Sequence, residues 1–111
     1  MSREERERLH DVLEAIDAIR SHAAVVDKAS PELVRDAILY RLVVIGEAVK
    51  ALPQERLARQ PNVNWRGIAG LRDFLTHEYF RIERERIDDI VEQHLDPLGQ
   101  AVAEILAELD A

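Results

Sequence analysis

The stretch Ala37-Ile38-Leu39-Tyr40-Arg41-Leu42-Val43-Val44-Ile45-Gly46-Glu47-Ala48 limits the possible folds more than any other, because its apolar side chains fall nearly all round a helix. Ser30 followed by Pro31 is an N-cap and first-turn pair, so the pattern predicts a helix from there to Leu52, before Pro53. Such a helix must be buried on more than one side. It lies either at the centre of a bundle or in the bundle and a partner chain at once. Gly46 allows another helix to approach closely, and Glu47 beside it reads as a buried acid satisfied by a local Arg or a backbone donor.

The other segments supply what such a helix packs against. Ser2 with Glu5 makes a capping box, and Leu9, Val12, Leu13, Ile16, Ile19, Ala23 and Val26 recur at helical spacing, predicting one long helix over residues 3–28. Gln54 to Arg59 adds a short turn of helix, and Pro61-Asn62-Val63-Asn64 reads as a loop with Asn64 as N-cap of the next helix. Ile68, Leu71, Phe74 and Leu75 give that helix its core face, with Trp65 as a packing anchor at its start. Ile82, Ile87, Ile90, Val91 and Leu95 predict another amphipathic helix, which Pro97 breaks or kinks, with Asp96 placed to cap the helical segment after it. His94 beside the break reads as a helix-end residue. Leu98, Val102, Ile105, Leu106 and Leu109 form the last apolar stripe. There is no linker or internal repeat, so residues 1–111 are expected to form a single all-α, up-and-down bundle of about five helices.

Composition narrows the function classes. Only 5% of residues are aromatic against 47% hydrophobic, which suits a core of Leu, Ile, Val and Ala between helices. Cysteine is absent, so disulfides and thiolate metal sites are excluded; this fits a cytoplasmic protein. The charged N-terminus has no apolar run after it, and no stretch approaches the length of a membrane span. A net charge of -7 argues against a general nucleic-acid binder. Residues 66–86 nevertheless hold Arg66, Arg72, Arg81, Arg84 and Arg86 against Asp73, Glu78, Glu83 and Glu85, a balance of +1 that leaves -8 for the remainder. An RNA substrate is permitted there.

That same region concentrates the chemistry. Gly70-Leu71-Arg72-Asp73-Phe74-Leu75-Thr76-His77-Glu78-Tyr79 puts a fixed cation, a proton carrier and a phenol close together. Arg holds a phosphate as a planar fork, His moves protons near neutral pH, and Tyr offers a hydroxyl. On an unbroken helix Arg72 and Tyr79 fall nearly in line, whereas Arg72 and His77 diverge by roughly 140°. Either the helix loosens near Thr76, or a second copy of the chain supplies the missing group across a two-fold axis. The second is favoured on mechanism. Attack by a 2'-hydroxyl on its adjacent RNA phosphodiester gains from a base on one side of phosphorus and an acid on the other, and two chains offer a symmetric pair of imidazoles. Taken by spacing alone, an Arg and a His on such a helix are more ordinarily a solvated face and a helix-end cap.

Other constellations are weaker. His10 and His22 lie about 120° apart on one helix and cannot chelate one ion, and Glu7-x-x-His10 lacks the partner copy of a di-iron motif. His77-Glu78 lacks the second His of a zinc-protease helix, since Arg81 occupies that place, and no metal or other cofactor is expected. Ser2, Ser21 and Ser30 lie far from His77 and none sits in a nucleophile elbow.

The order Arg72-x-x-x-x-His77-x-Tyr79 resembles the signature of the HepT-like toxins, a branch of the HEPN all-helical ribonuclease superfamily. Tyr40 through Lys50 is similar to that family's Gly-Glu-Ala helix, and Pro61 through Trp65, followed by Ile68 and Gly70, resembles the lead-in to its catalytic helix. Together these segments span residues 40–79, a little over a third of the chain. The resemblance implies a homodimeric, metal-independent endoribonuclease toxin of a toxin-antitoxin pair. Arg72 and His77 are then catalytic in a cleft between protomers, and Asp73 or Thr76 orients its neighbours. Many relatives have Asn where this chain has Asp73; a carboxylate there either pairs with an Arg or repels RNA. The resemblance also implies a separate minimal nucleotidyltransferase antitoxin that adds AMP to Tyr79. Two competing expectations are a non-catalytic helical module that docks the nucleotidyltransferase and an HEPN-type domain that binds nucleotide without cutting RNA.

Overall fold

In the computed structural model the described residues are 3–77 and 84–111, and every regular element among them is helical. The strongly apolar helix is α2, Pro31–Lys50, which comes after α1, Arg3–Ala24, and a 3-10 turn at Val26–Lys28. α3, Gln54–Leu57, is a single turn, and α4, Trp65–His77, carries the Arg-His stretch. α5, Arg84–Gln93, and α6, Leu95–Asp110, complete the chain. α2 lies between α1 and α4, and α6 closes the bundle against α1. The all-α expectation holds: five of the helices run to ten residues or more, and α3 is the short turn read from residues 54–59.

Local chemistry explains most boundaries. Ser30 Oγ accepts a hydrogen bond from the Leu33 N–H at 3.4 Å, and Pro31 takes the first helical position, where no donor is needed. α2 ends at Lys50, slightly earlier than the predicted Leu52, because Ala51 and Leu52 turn back onto the carbonyls of Glu47, Ala48 and Val49 ahead of Pro53. α1 likewise stops at Ala24, and only the 3-10 turn continues to Lys28. Ser2 of the expected capping box lies outside the described residues. Glu5 binds the Arg56 guanidinium at 3.1 Å, tying α1 to α3.

The second half corrects one expectation. The break falls at His94, not at Pro97: α5 ends at Gln93, α6 begins at Leu95, and Pro97 sits in the first turn of α6. Proline is tolerated there because the first N–H groups of a helix have no partner to lose. Asp96 therefore does not cap; it is inside the helix and pairs with Arg20 of α1. His94 is the helix-end residue, at the N-cap position of α6.

The core is continuous from Leu9, Val12, Ile16 and Ile19 of α1 through Leu42, Ile45 and Val49 of α2 to Leu98, Val102 and Ile105 of α6. No charged or polar residue is fully buried among the described residues. Trp65 anchors the start of α4 as predicted: it is buried, and its indole N–H donates to the Gln60 carbonyl at 2.9 Å. Arg59 and Gln60 bind Glu108 and Glu104 of α6 at 3.2 and 2.9 Å, holding the α3–α4 loop. α4 thus has a fixed start.

Candidate functional site

Gly46 determines where the site sits. A Cβ added there would lie 2.9 Å from the Arg72 backbone nitrogen and 3.2 Å from the Ile68 carbonyl oxygen, so the backbones of α2 and α4 touch at this point. The close approach foreseen at Gly46 is therefore made by the helix carrying Arg72. Its consequence is that Arg72 stands directly beside Glu47.

Replacing Gly46 with Ala tests this placement. Helix propensity alone favours the substitution by about 1 kcal/mol. The clash is with backbone, which cannot swing aside, and overpacking of this kind costs about 1–3 kcal/mol. We expect a net loss of stability in chemical denaturation, where an exposed helical Gly→Ala would give a gain.

Around Arg72 the charges alternate. Its Nε pairs with the Glu47 carboxylate and its Nη1 donates to Asp73 Oδ1 at 2.9 Å, while Lys50 Nζ stands 4.0 Å from Asp73 Oδ2. The hydrogen bond from Arg72 and the charge of Lys50 hold the Asp73 carboxyl below its ordinary range. In turn the bond to Asp73 and the charge of Glu47 push the guanidinium pKa further up. Glu47 is thus satisfied by an Arg, as expected, but it is half exposed and not buried. Of the two roles open to Asp73, the structure shows pairing with Arg72.

His77 is exposed at the C-terminal end of α4. Between it and Arg72 the helix is regular. Thr76 Oγ1 donates back to the Arg72 and Asp73 carbonyls one turn earlier, at 2.9 and 3.2 Å, and the helix continues through it. The loosening near Thr76 that would let one chain bring both groups together is absent. The two side chains keep the roughly 140° divergence of a five-residue spacing; the structure brings Arg72 and Asp73 together with Glu47 and Lys50, and His77, one turn beyond Asp73, makes no bond to them and adds only a minor electrostatic effect on the Asp73 carboxyl. Tyr79 lies outside the described residues, as do Ile82 and the rest of 78–83.

Phe74 departs from the sequence reading. The apolar pattern assigns it to the core face with Ile68, Leu71 and Leu75, but it is 46% exposed while Leu75 is buried. The rest of the stripe faces the core as read: α4 turns Trp65, Ile68, Leu71 and Leu75 inward, leaving Gly70, Phe74 and His77 on the outer face. Asn64 caps α4 as predicted, accepting from the Gly67 N–H at 3.0 Å. Lys50 is the residue that sequence reasoning passes over; its signal is a lone cation one turn after Glu47 on the face toward α4.

α2 also keeps an exposed face. Leu33 and Tyr40, seven residues apart, are 65% and 63% exposed, and Ala37 and Val44 between and beyond them are half-buried. This apolar strip leads along α2 to Glu47 and so to Arg72. Among the described residues no three His, Asp or Glu side chains converge as metal ligands do, and no helix is long and apolar enough to cross a membrane.

Comparison with known proteins adds an independent line. Residues 11–105 match the model of a family described as ribonuclease HepT-like. A Methanocaldococcus jannaschii protein named "Putative RNase MJ0127" is 36% identical over 92% of this chain and 87% of its own length. A Caldanaerobacter subterraneus protein named "Putative RNase TTE0752" is 40% identical over 68% of this chain and 71% of its own. One from Thermococcus cleftensis named "Probable ribonuclease HepT" is 31% identical over 75% and 78%. No solved structure matches the chain.

Proposed function

This chain belongs to the HepT-like ribonuclease family, and from that premise we propose that it is a metal-independent endoribonuclease whose cleft forms between two copies. The observation that carries the reading is the unbroken α4: one chain holds Arg72 and His77 on diverging faces, so a shared phosphate needs a second chain. The exposed strip of Leu33 and Tyr40 on α2, continuous with Glu47 and Arg72, gives that second copy an apolar surface to cover.

In the reaction a 2'-hydroxyl attacks the adjacent phosphorus while one His77 imidazole takes its proton. The P–O5' bond breaks, and the partner's His77 imidazolium protonates the departing oxygen, leaving a 2',3'-cyclic phosphate and a 5'-hydroxyl. Arg72 steadies the charge on the non-bridging oxygens. Asp73 and Glu47 hold the guanidinium in place until phosphate replaces them, and the Thr76 hydroxyl stays on the Arg72 carbonyl. The protein acts in the cytoplasm as the toxin of a toxin-antitoxin pair, neutralised when a separate nucleotidyltransferase attaches AMP to Tyr79. Each AMP adds negative charge and bulk where RNA must enter.

Cleavage of a mixed-sequence RNA in the presence of EDTA tests the reading. Cyclic phosphate ends and complete resistance of an all-2'-O-methyl substrate are expected. Binding without any cleavage would favour a non-catalytic module. The dimer is tested separately by Tyr40→Glu, which places a charge in the exposed strip. Sedimentation should show it as a monomer with lost cleavage and an unchanged helical spectrum; a monomer that cleaves fully would refute the shared cleft.

A further inference from the structure

A cavity of about 420 Å³ opens where the C-terminal end of α2, α3 and the first turns of α4 meet. Its apolar wall is Val49, Leu52, Leu57 and Trp65, and Lys50, Gln54 and Arg66 supply its polar side. No acid lines it, in a chain whose 22 Asp and Glu outnumber its 15 Lys and Arg. The volume falls in the range of small-ligand sites, roughly 300–1,000 Å³. An apolar wall with two cations and an amide, and no carboxylate, matches a nucleoside phosphate: a flat ring for the wall, an anion for the cations, and base edges for the amide.

Its position assigns it a role. Lys50 lines the cavity and also reaches toward Asp73, the residue bonded to Arg72. Arg66 precedes Arg72 by six residues on α4, about 9 Å along the axis. The cavity thus borders the Arg72–Asp73 pair through Lys50, upstream along α4, while Arg66 sits roughly 120° round the helix from Arg72. The Trp65 N–H is already bonded to Gln60, so its ring presents carbon to the cavity.

We propose that this cavity is a nucleotide subsite of the substrate RNA: Lys50 and Arg66 bind the phosphate adjoining the one at Arg72, and the base fills the cavity mouth over the small part of Trp65 and Leu57 left uncovered by the core. The proposal rests on the ribonuclease reading above, and it makes Lys50 and Arg66 binding residues with no part in proton transfer. Both side chains are exposed, so their removal leaves the core intact.

Trp65, the only tryptophan, is a built-in probe. An uncleavable all-2'-O-methyl oligonucleotide should change its emission on binding. Lys50→Gln with Arg66→Gln should weaken that binding about tenfold or more and reduce the dependence of log K on log salt by about 0.7 per cation removed. In cleavage Arg66→Gln alone, which leaves the Lys50–Asp73–Arg72 group intact, should raise KM more than it lowers kcat. Unchanged affinity and salt slope in the folded double variant would overturn the subsite. So would uridine or adenosine monophosphate changing the emission while the oligonucleotide does not, since that marks a site for free nucleotide. If wild type bound the oligonucleotide with the expected loss in the double variant but cut no RNA, the subsite would stand and the nuclease reading would fall.

Discussion

His77→Ala is expected to lower RNA cleavage about 10²–10⁴-fold, the range for loss of a positioned proton-transfer group, with no measurable change in stability. The side chain is exposed at the end of α4, so truncation opens no cavity. Arg72→Ala should reduce cleavage by about 10²–10³-fold, the scale seen when a charge-stabilising donor is removed. It leaves Glu47 and Asp73 facing each other without their shared cation, but both are half exposed, where water screens the repulsion. Circular dichroism and denaturation curves close to wild type, measured beside cleavage of the same RNA, separate lost chemistry from lost fold. Folded variants that cleave as well as wild type would leave a helical binding module as the better account.

Tyr79→Phe should abolish nucleotide attachment altogether. In the proposed modification the phenol oxygen attacks the α-phosphate of ATP, forming the O–P bond as pyrophosphate leaves, and Phe keeps the ring while deleting that oxygen. After co-expression with the nucleotidyltransferase, the intact mass of wild type should rise by whole AMP units and that of the variant should not. The variant should also stay toxic in the presence of the transferase. Addition of AMP to the variant would move the modification to another residue.

The parts of this structure legible in the sequence are those governed by local rules. Ser30-Pro31 starts α2, Asn64 caps α4, and the apolar periods of α1 and α6 give their core faces. Gly46 reads as a point of close approach, although the helix that approaches cannot be named without the packing. The misplaced features are those that depend on neighbours. Pro97 signals a break, yet its ring fits the first turn of a helix, and the turn falls at His94 instead. Phe74 reads as core by apolar spacing, but α4 is turned so that Ile68 and Arg72 meet Gly46, which leaves Phe74 outward. Glu47 sits in a run of apolar residues and so reads as buried. It lies on the face of α2 that continues from Leu33 and Tyr40, where the bundle ends.

At the candidate site, the Arg-to-His spacing already carries the geometric problem, since 140° on a helix depends only on the number of intervening residues. The pairing of Glu47 with Arg72 and of Lys50 with Asp73 does not show in the sequence, because it joins two helices whose register Gly46 sets. The cation-lined cavity is hidden for the same reason: Lys50 and Arg66 come to line one cavity only after the chain turns through α3 between them.

The most direct test of a cleft shared by two chains is a mixed dimer, isolated with two different affinity tags, holding one wild-type chain and one His77→Ala chain. If both imidazoles serve one phosphate, its cleavage should fall to near that of the His77→Ala homodimer. Half of wild-type activity would mean that each chain cuts RNA with its own imidazole, and the shared cleft would be wrong.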